Sequence, residues 1–169
     1  TTIVTSSDGE EFAVEYDERG NIIRSVDALG NESFATFDEN GNVTSRTNPL
    51  GEVISFEYND LDKETRRTNG EGHSTDFTYD TTGRLSSVTD ANGNVTRYQR
   101  DSRGNVTQEI DPQGHVTAFT YDARGNLVSR TDARGLTSQY QYDAFGNLVG
   151  EVDSSGTARS YTTTPGASC

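Results

Sequence analysis

The stretch YDARGNLVSRTDARG, Tyr121 to Gly135, contains nearly the same phrase twice. Asp-Ala-Arg-Gly-Asn is followed by five residues and then by Asp-Ala-Arg-Gly again. Asp-x-x-Gly-Asn admits two readings, a ligand loop used twice or one hairpin turn repeated. The turn reading is mechanical. Asp at the first position of a type I turn accepts a bond from the backbone two residues on, and glycine at the fourth position supplies positive φ. Such a turn joins neighbouring antiparallel strands.

The rest of the chain repeats this phrase. Seven units of 21 residues run from Tyr16 to Thr162 without insertion or deletion. Residues 1–15 read as the tail of a further, partial unit, with Gly9 in phase, and residues 163–169 as a frayed end. Slots are counted from the residue that opens each unit. Slot 1 is aromatic at Tyr16, Phe37, Tyr58, Tyr79, Tyr121 and Tyr142, with Arg100 as the exception. Slot 5 is glycine at Gly20, Gly41, Gly83, Gly104, Gly125 and Gly146. Slot 15 is glycine throughout: Gly30, Gly51, Gly72, Gly93, Gly114, Gly135 and Gly156. Slot 7 is aliphatic in every unit but the third, and slot 20 is aromatic from Phe56 onward. These nineteen aromatic and glycine positions are the candidate structural sites of the repeat.

Each unit therefore reads as two short strands and two turns. Glycine arrives too often for helix, and the segments between turns are rich in Thr, Val, Tyr and Phe, as strands prefer. The expectation is an all-β antiparallel meander of tandem hairpins. If Asp at slot 2 faces Asn at slot 6, slot 1 faces slot 7, as in Tyr121 opposite Leu127. An odd period then sets a parity problem: with two equal hairpins, alternate units would turn their aromatic face outward. Either the turns differ by one residue or a strand carries a bulge. The slot 12–15 turn is expected to be the different one, which places slots 18, 20, 1, 7, 9 and 11 on one well-buried face.

Composition limits the function. The chain has 169 residues, is 30% hydrophobic and carries a net charge of -13. That balance argues against nucleic acid, which needs a basic footprint, and against anionic membrane surfaces. No apolar run is long enough to insert in a membrane as a helix. The single cysteine, Cys169, allows no internal disulfide, and the absence of methionine suggests a piece of a longer polypeptide. Phe145, inside a turn, is expected to be exposed.

The pattern Tyr-Asp-x-x-Gly-Asn/Arg-Leu, then about ten residues, then Gly-x-x-Thr-x-Tyr, resembles the YD repeats of the Rhs family. Tyr79 to Gln99 and Tyr121 to Gln141 carry it most fully. Such repeats also occur in teneurins and in the C components of insecticidal toxin complexes. The resemblance implies a sheet that curls into a segment of a β-shell or barrel in a large secreted or cell-surface bacterial protein. In bacterial members the shell encloses a toxic polypeptide; in teneurins it supports adhesion. The self-cleaving segment that closes complete shells has no match, since "DPQG" at Asp111 to Gly114 is a slot 12–15 turn in phase with the others.

Other chemistry fares poorly. "DENGN", Asp38 to Asn42, lacks the ligand ladder and distant Glu of a calcium loop. His73 and His115 share slot 16 with no recurrent third ligand, so no metal or cofactor is expected. The sequons at Asn31, Asn42, Asn94 and Asn105 arise because Gly-Asn ends a turn and Ser or Thr follows in the strand. No nucleophile–base pair recurs, so no enzyme is expected. The third unit is the least regular: Asn59, Asp62 and Glu64 replace Asp, Gly and the aliphatic residue, which reads as a weakened unit or as a hinge or partner contact. The apolar face is too sparse for a thick core. Neighbouring repeats, another copy of the chain or an enclosed polypeptide cargo would have to cover it. The rival function is an adhesion or binding module for a glycan or protein, with self-assembly through open sheet edges.

Overall fold

The computed structural model describes residues 2–5 and 11–162; Gly9, Cys169 and the tail from 163 to 169 lie outside the described residues. The strands follow in chain order: β1 (Thr2–Thr5), β2 (Glu11–Tyr16), β3 (Ile22–Val26), β4 (Glu32–Phe37), β5 (Val43–Thr47), β6 (Val53–Tyr58), β7 (Glu64–Thr68) and β8 (Ser74–Tyr79). They continue with β9 (Leu85–Thr89), β10 (Val95–Arg100), β11 (Val106–Ile110), β12 (Val116–Tyr121), β13 (Leu127–Thr131), β14 (Thr137–Tyr142), β15 (Leu148–Val152) and β16 (Ala158–Ser160). The described residues contain no helix.

The chain divides into two compact units, with the division passing through β9. In the first, β1 to β8 pair consecutively and antiparallel. In the second, β10 to β16 do the same. Each is an antiparallel meander, the arrangement that tight turns between short strands dictate.

Register follows the turns. Tyr16 faces Ile22, Phe37 faces Val43, Tyr121 faces Leu127 and Tyr142 faces Leu148, so slot 1 does meet slot 7. The parity problem has the other solution. Both turns of a repeat are alike: the Gly20 N–H donates to the Asp17 carbonyl and the Gly30 N–H to the Asp27 carbonyl, each closed by an Asp–Asn backbone bond. The odd residue is a bulge. Glu15 faces Arg24 but Tyr16 faces Ile22, leaving Ile23 as the extra residue at slot 8. The same shift recurs at Thr36/Phe37, Glu57/Tyr58, Gln99/Arg100, Thr120/Tyr121 and Gln141/Tyr142.

The bulge corrects the expected face. Slots 18, 20, 1 and 7 do share a side, as Ile54, Phe56, Tyr58 and Glu64 show in β6 and β7. Slots 9 and 11 fall on the other side, because the extra residue inverts the alternation beyond it. Slot 10 takes their place, so Arg46 and Arg67 join the first unit's aromatic face, and Arg130 joins the second's.

The opposite face is held by polar pairs. Arg24 bridges Glu15 at 3.1 Å and Glu32 at 2.6 Å, and Arg66 meets Asp76 at 2.6 Å. Hydroxyls pair across strands, as Thr120 with Ser129 at 2.6 Å. Burial is also lower than expected. Val14 is the one buried hydrophobic side chain among the described residues. Tyr79, Leu85, Tyr121, Leu127, Tyr142 and Leu148 are half-buried, and Tyr16 is exposed. A single layer of sheet supplies neighbours beside each side chain but none above it.

Candidate functional site

The repeated positions form rows at the strand ends. All thirteen slot 5 and slot 15 glycines, Gly20, Gly30, Gly41, Gly51, Gly72, Gly83, Gly93, Gly104, Gly114, Gly125, Gly135, Gly146 and Gly156, have φ between 78° and 96°. Residues with a Cβ reach this region only with strain, which is why the slot is glycine. Asp at the turn start does the rest. The Asp17 Oδ1 accepts the N–H of Arg19 and of Asn21 at 2.9 Å, while its Oδ2 accepts the Asn21 side-chain amide at 2.9 Å. Asp27 repeats this with Leu29 and Asn31. The Asn side-chain amide first, and its backbone N–H second, hold the carboxyls of Asp17, Asp27, Asp122 and Asp143 below their ordinary range. Asn48, Asn59 and Asn69 make the same backbone bonds without a charge.

The slot 1 residues do more than pack. The Tyr58 hydroxyl donates to the Val43 carbonyl at 2.9 Å, Tyr79 to Glu64 at 2.6 Å and Tyr121 to Val106 at 2.9 Å. Each reaches the slot 7 carbonyl of the preceding repeat. Strand pairing between β5 and β6 stops at Ser45 and Ser55, so Val43 lies beyond the ladder and the phenol takes up its carbonyl. Arg100 stands in the tyrosine slot and reaches the equivalent Leu85 carbonyl with Nε at 3.3 Å and Nη2 at 3.2 Å. Phe37 has no hydroxyl to offer, and Tyr16 and Tyr142 open their units at the same slot.

A second set of ties was not anticipated. Slot 4 arginines reach forward to the equivalent turn of the next repeat: Arg19 to the Glu39 carbonyl, Arg103 to Ala123 at 2.6 Å and Arg124 to Ala144. The recurrence of Arg at slot 4 was the available signal. The irregular third unit is cross-tied rather than slack. Asp62, at φ 55°, accepts the side-chain amides of Asn40 at 2.8 Å and Asn42 at 2.7 Å from the equivalent turn of the preceding repeat. Glu64 forks onto Arg67 at 2.9 and 3.1 Å, and the Arg67 guanidinium lies 5.6 Å from the Phe56 ring and 5.9 Å from the Phe77 ring.

Ligand chemistry is thin elsewhere. No group of three or more His, Cys, Asp or Glu among the described residues could hold a metal ion. The Asp38 carboxylate is already filled by N–H donors from Asn40 and Asn42. His115 binds the Asp111 carboxylate at 2.8 Å, and His73 meets Glu71 at 3.2 Å, so each belongs to its own turn. Turn tips carry exposed apolar residues: Leu29, Leu50 and Phe145 are 84% to 90% exposed. In the first unit the aromatic face borders an open hollow of about 1100 Å³, lined in part by Ile22, Phe37, Val43, Arg46 and Ile54.

No curated protein matches the sequence. Solved structures do match its fold. The Photorhabdus luminescens Tc holotoxin pore with a mutated TccC3 aligns at a TM-score of 0.70 and 20% identity, over 86% of this chain and 9% of that one. A TcdB2–TccC3–Cdc42 crystal structure aligns at 0.71 and 20% identity, over 92% of this chain and 9% of that one. A TcdB2–TccC3 crystal structure aligns at 0.71 and 19% identity, over 89% and 10%. The chain thus spans about a tenth of the length of the chains it matches. The RHS repeat profile matches residues 37–75, 58–92, 79–118, 100–137 and 121–158. With that profile spanning most of the sequence and the meander in place, the chain belongs to the RHS repeat family.

Proposed function

We propose that this chain is a wall segment of a shell in a large secreted or cell-surface bacterial protein, enclosing or presenting a polypeptide cargo. The observation that carries this reading is the half-covered aromatic face. Each repeat places aromatic and aliphatic side chains on one side, yet Val14 alone among the hydrophobics of the described residues is buried. A face of that kind needs a cover, and an enclosed polypeptide supplies one. The fold likeness to segments of Tc toxin chains supports the same reading. The recurrent polar residues are engaged in turns and ties, which favours a scaffold over an enzyme.

Limited proteolysis of the polypeptide that carries this segment tests the proposal. In-phase removal of Tyr121–Thr162 is expected to expose the enclosed chain to proteinase K. Unchanged protection would sink the wall reading.

A second reading rests on the turn tips. Leu29 and Leu50 tip successive slot 12–15 turns of the first unit, and Phe145 tips a slot 2–5 turn of the second; such exposed apolar tips favour contact with a protein or glycan. Binding by the soluble chain that disappears in Phe145→Ser would support it. Self-association, which would also cover the face, is read by sedimentation across concentration.

A further inference from the structure

We propose that Arg46 is an anchor for carboxylates of a polypeptide lying in the first unit's hollow; this rests on the wall reading above. The repeat provides its own control. In the first unit, Arg24 and Arg66 on the polar face are neutralised by Glu15, Glu32 and Asp76. Arg67, on the aromatic face, is forked by Glu64 and stacked between Phe56 and Phe77. Arg46 occupies the same slot one repeat earlier, paired across the strands with Ala35 and Ile54. Slot 7 of its repeat is Val43, where the next has Glu64, so the carboxylate that would neutralise it is missing.

Arg46 lines the hollow of about 1100 Å³ beside Ile22, Phe37 and Ile54. Two acids, Glu52 and Glu71, also border it; each is held at its own turn, by the Asn48 amide at 2.7 Å and by His73 at 3.2 Å, and neither is bridged to Arg46. A guanidinium set among apolar side chains recognises a carboxylate by charge-assisted, bidentate hydrogen bonds. Arg46 is itself exposed to the open hollow, and the apolar side chains beside it favour an occupant that carries aromatic or aliphatic groups beside its acids. The occupant assigned here is therefore an extended segment mixing acidic and apolar residues.

Fluorescence anisotropy of the whole chain with a labelled Phe-Glu-Ser repeat peptide, against its Phe-Gln-Ser counterpart, tests this. The Glu peptide is expected to bind about tenfold tighter, the scale of one charge-assisted contact. Arg46→Gln should abolish the preference, Arg46→Lys should keep part of it, and Arg66→Gln should leave it unchanged. A preference that survives Arg46→Gln overturns the proposal. Equal binding of both peptides overturns the anchor while leaving a polypeptide-lining face intact. Binding of neither peptide overturns both the anchor and the lining.

Discussion

The Arg100 guanidinium lies 3.2 Å from the Leu85 carbonyl, in the place where Tyr121 reaches the Val106 carbonyl at 2.9 Å. Two unlike side chains thus serve one acceptor. Where slot 1 ties to the preceding repeat, it does so with a long side chain that ends in a donor and keeps an apolar stem against slot 7; Phe37 fills the slot with the stem alone. Arg100 also donates to the Gly104 carbonyl at 3.1 Å, which ties its own turn.

Tyr121→Phe should therefore destabilise the chain although it leaves the ring in place. Burial raises the Tyr121 hydroxyl pKa above its ordinary value, so the group stays a neutral donor. The expected loss is about 1 kcal/mol in urea unfolding, the usual net worth of one hydrogen bond. Arg100→Tyr should be near neutral and Arg100→Leu should resemble Tyr121→Phe. Equal stability of Tyr121→Phe and the parent chain would mean the phenol is decorative.

The turn aspartates predict acid lability. Asp17, Asp27, Asp122 and Asp143 titrate below their ordinary range because Asn amides and backbone N–H groups bind the charged form. In the unfolded chain these bonds are lost and the value returns to about 3.9. A depressed folded value means stability that is present above the unfolded pKa and lost as pH falls through the folded one. The urea midpoint should be flat near neutrality and drop below about pH 4. Asp122→Asn, which copies the natural Asn48 and Asn59 turns, should flatten part of that drop, whereas Asp122→Ala should lower stability at neutral pH as well.

Glycine substitutions separate strain from contact. A Cβ on Gly93 would meet nothing within 4 Å, so Gly93→Ala reports the backbone alone at φ 83°. The expected loss is about 1–2 kcal/mol. At Gly104 the same Cβ would fall 2.6 Å from the Arg84 guanidinium carbon, so Gly104→Ala must also displace that side chain. Its thermal midpoint should be the lower of the two. Asp62→Gly should relieve strain but lose both Asn amide bonds, and a net gain in melting temperature would show that strain dominates.

Leu127 is half-buried in this single layer. Leu127→Ala should cost about 1 kcal/mol in the isolated chain, below the roughly 2–5 kcal/mol of a fully covered leucine. The same substitution in the whole polypeptide should cost more where the face is covered. Equal losses in the two settings would argue that nothing lies against it.

The turns and the slot 1 to slot 7 pairing were legible because Asp, Gly and Asn have few alternative uses at that spacing. The bulge was not. Its residues, among them Ile23, Thr44, Thr65, Thr107 and Val128, are ordinary strand formers, and nothing in their chemistry marks an unpaired position. Missing it moved Arg46 and Arg130 to the wrong face and hid the hollow's one cation without a carboxylate. The Arg100 tie was also unreadable, since equivalence to tyrosine depends on where the Leu85 carbonyl points rather than on residue type.

The bulge at slot 8 bears on how such a protein changes length. With two equal hairpins and no bulge, each odd-numbered repeat would invert the sheet, and only pairs of repeats could be gained or lost without turning the aromatic face out. Because six of the repeats each cancel their own parity at slot 8, as at Ile23 and Thr44, a single copy is a complete step. Unequal crossing-over between two units then yields a chain whose remaining residues all keep their side. Copy number becomes a freely adjustable dimension of the sheet.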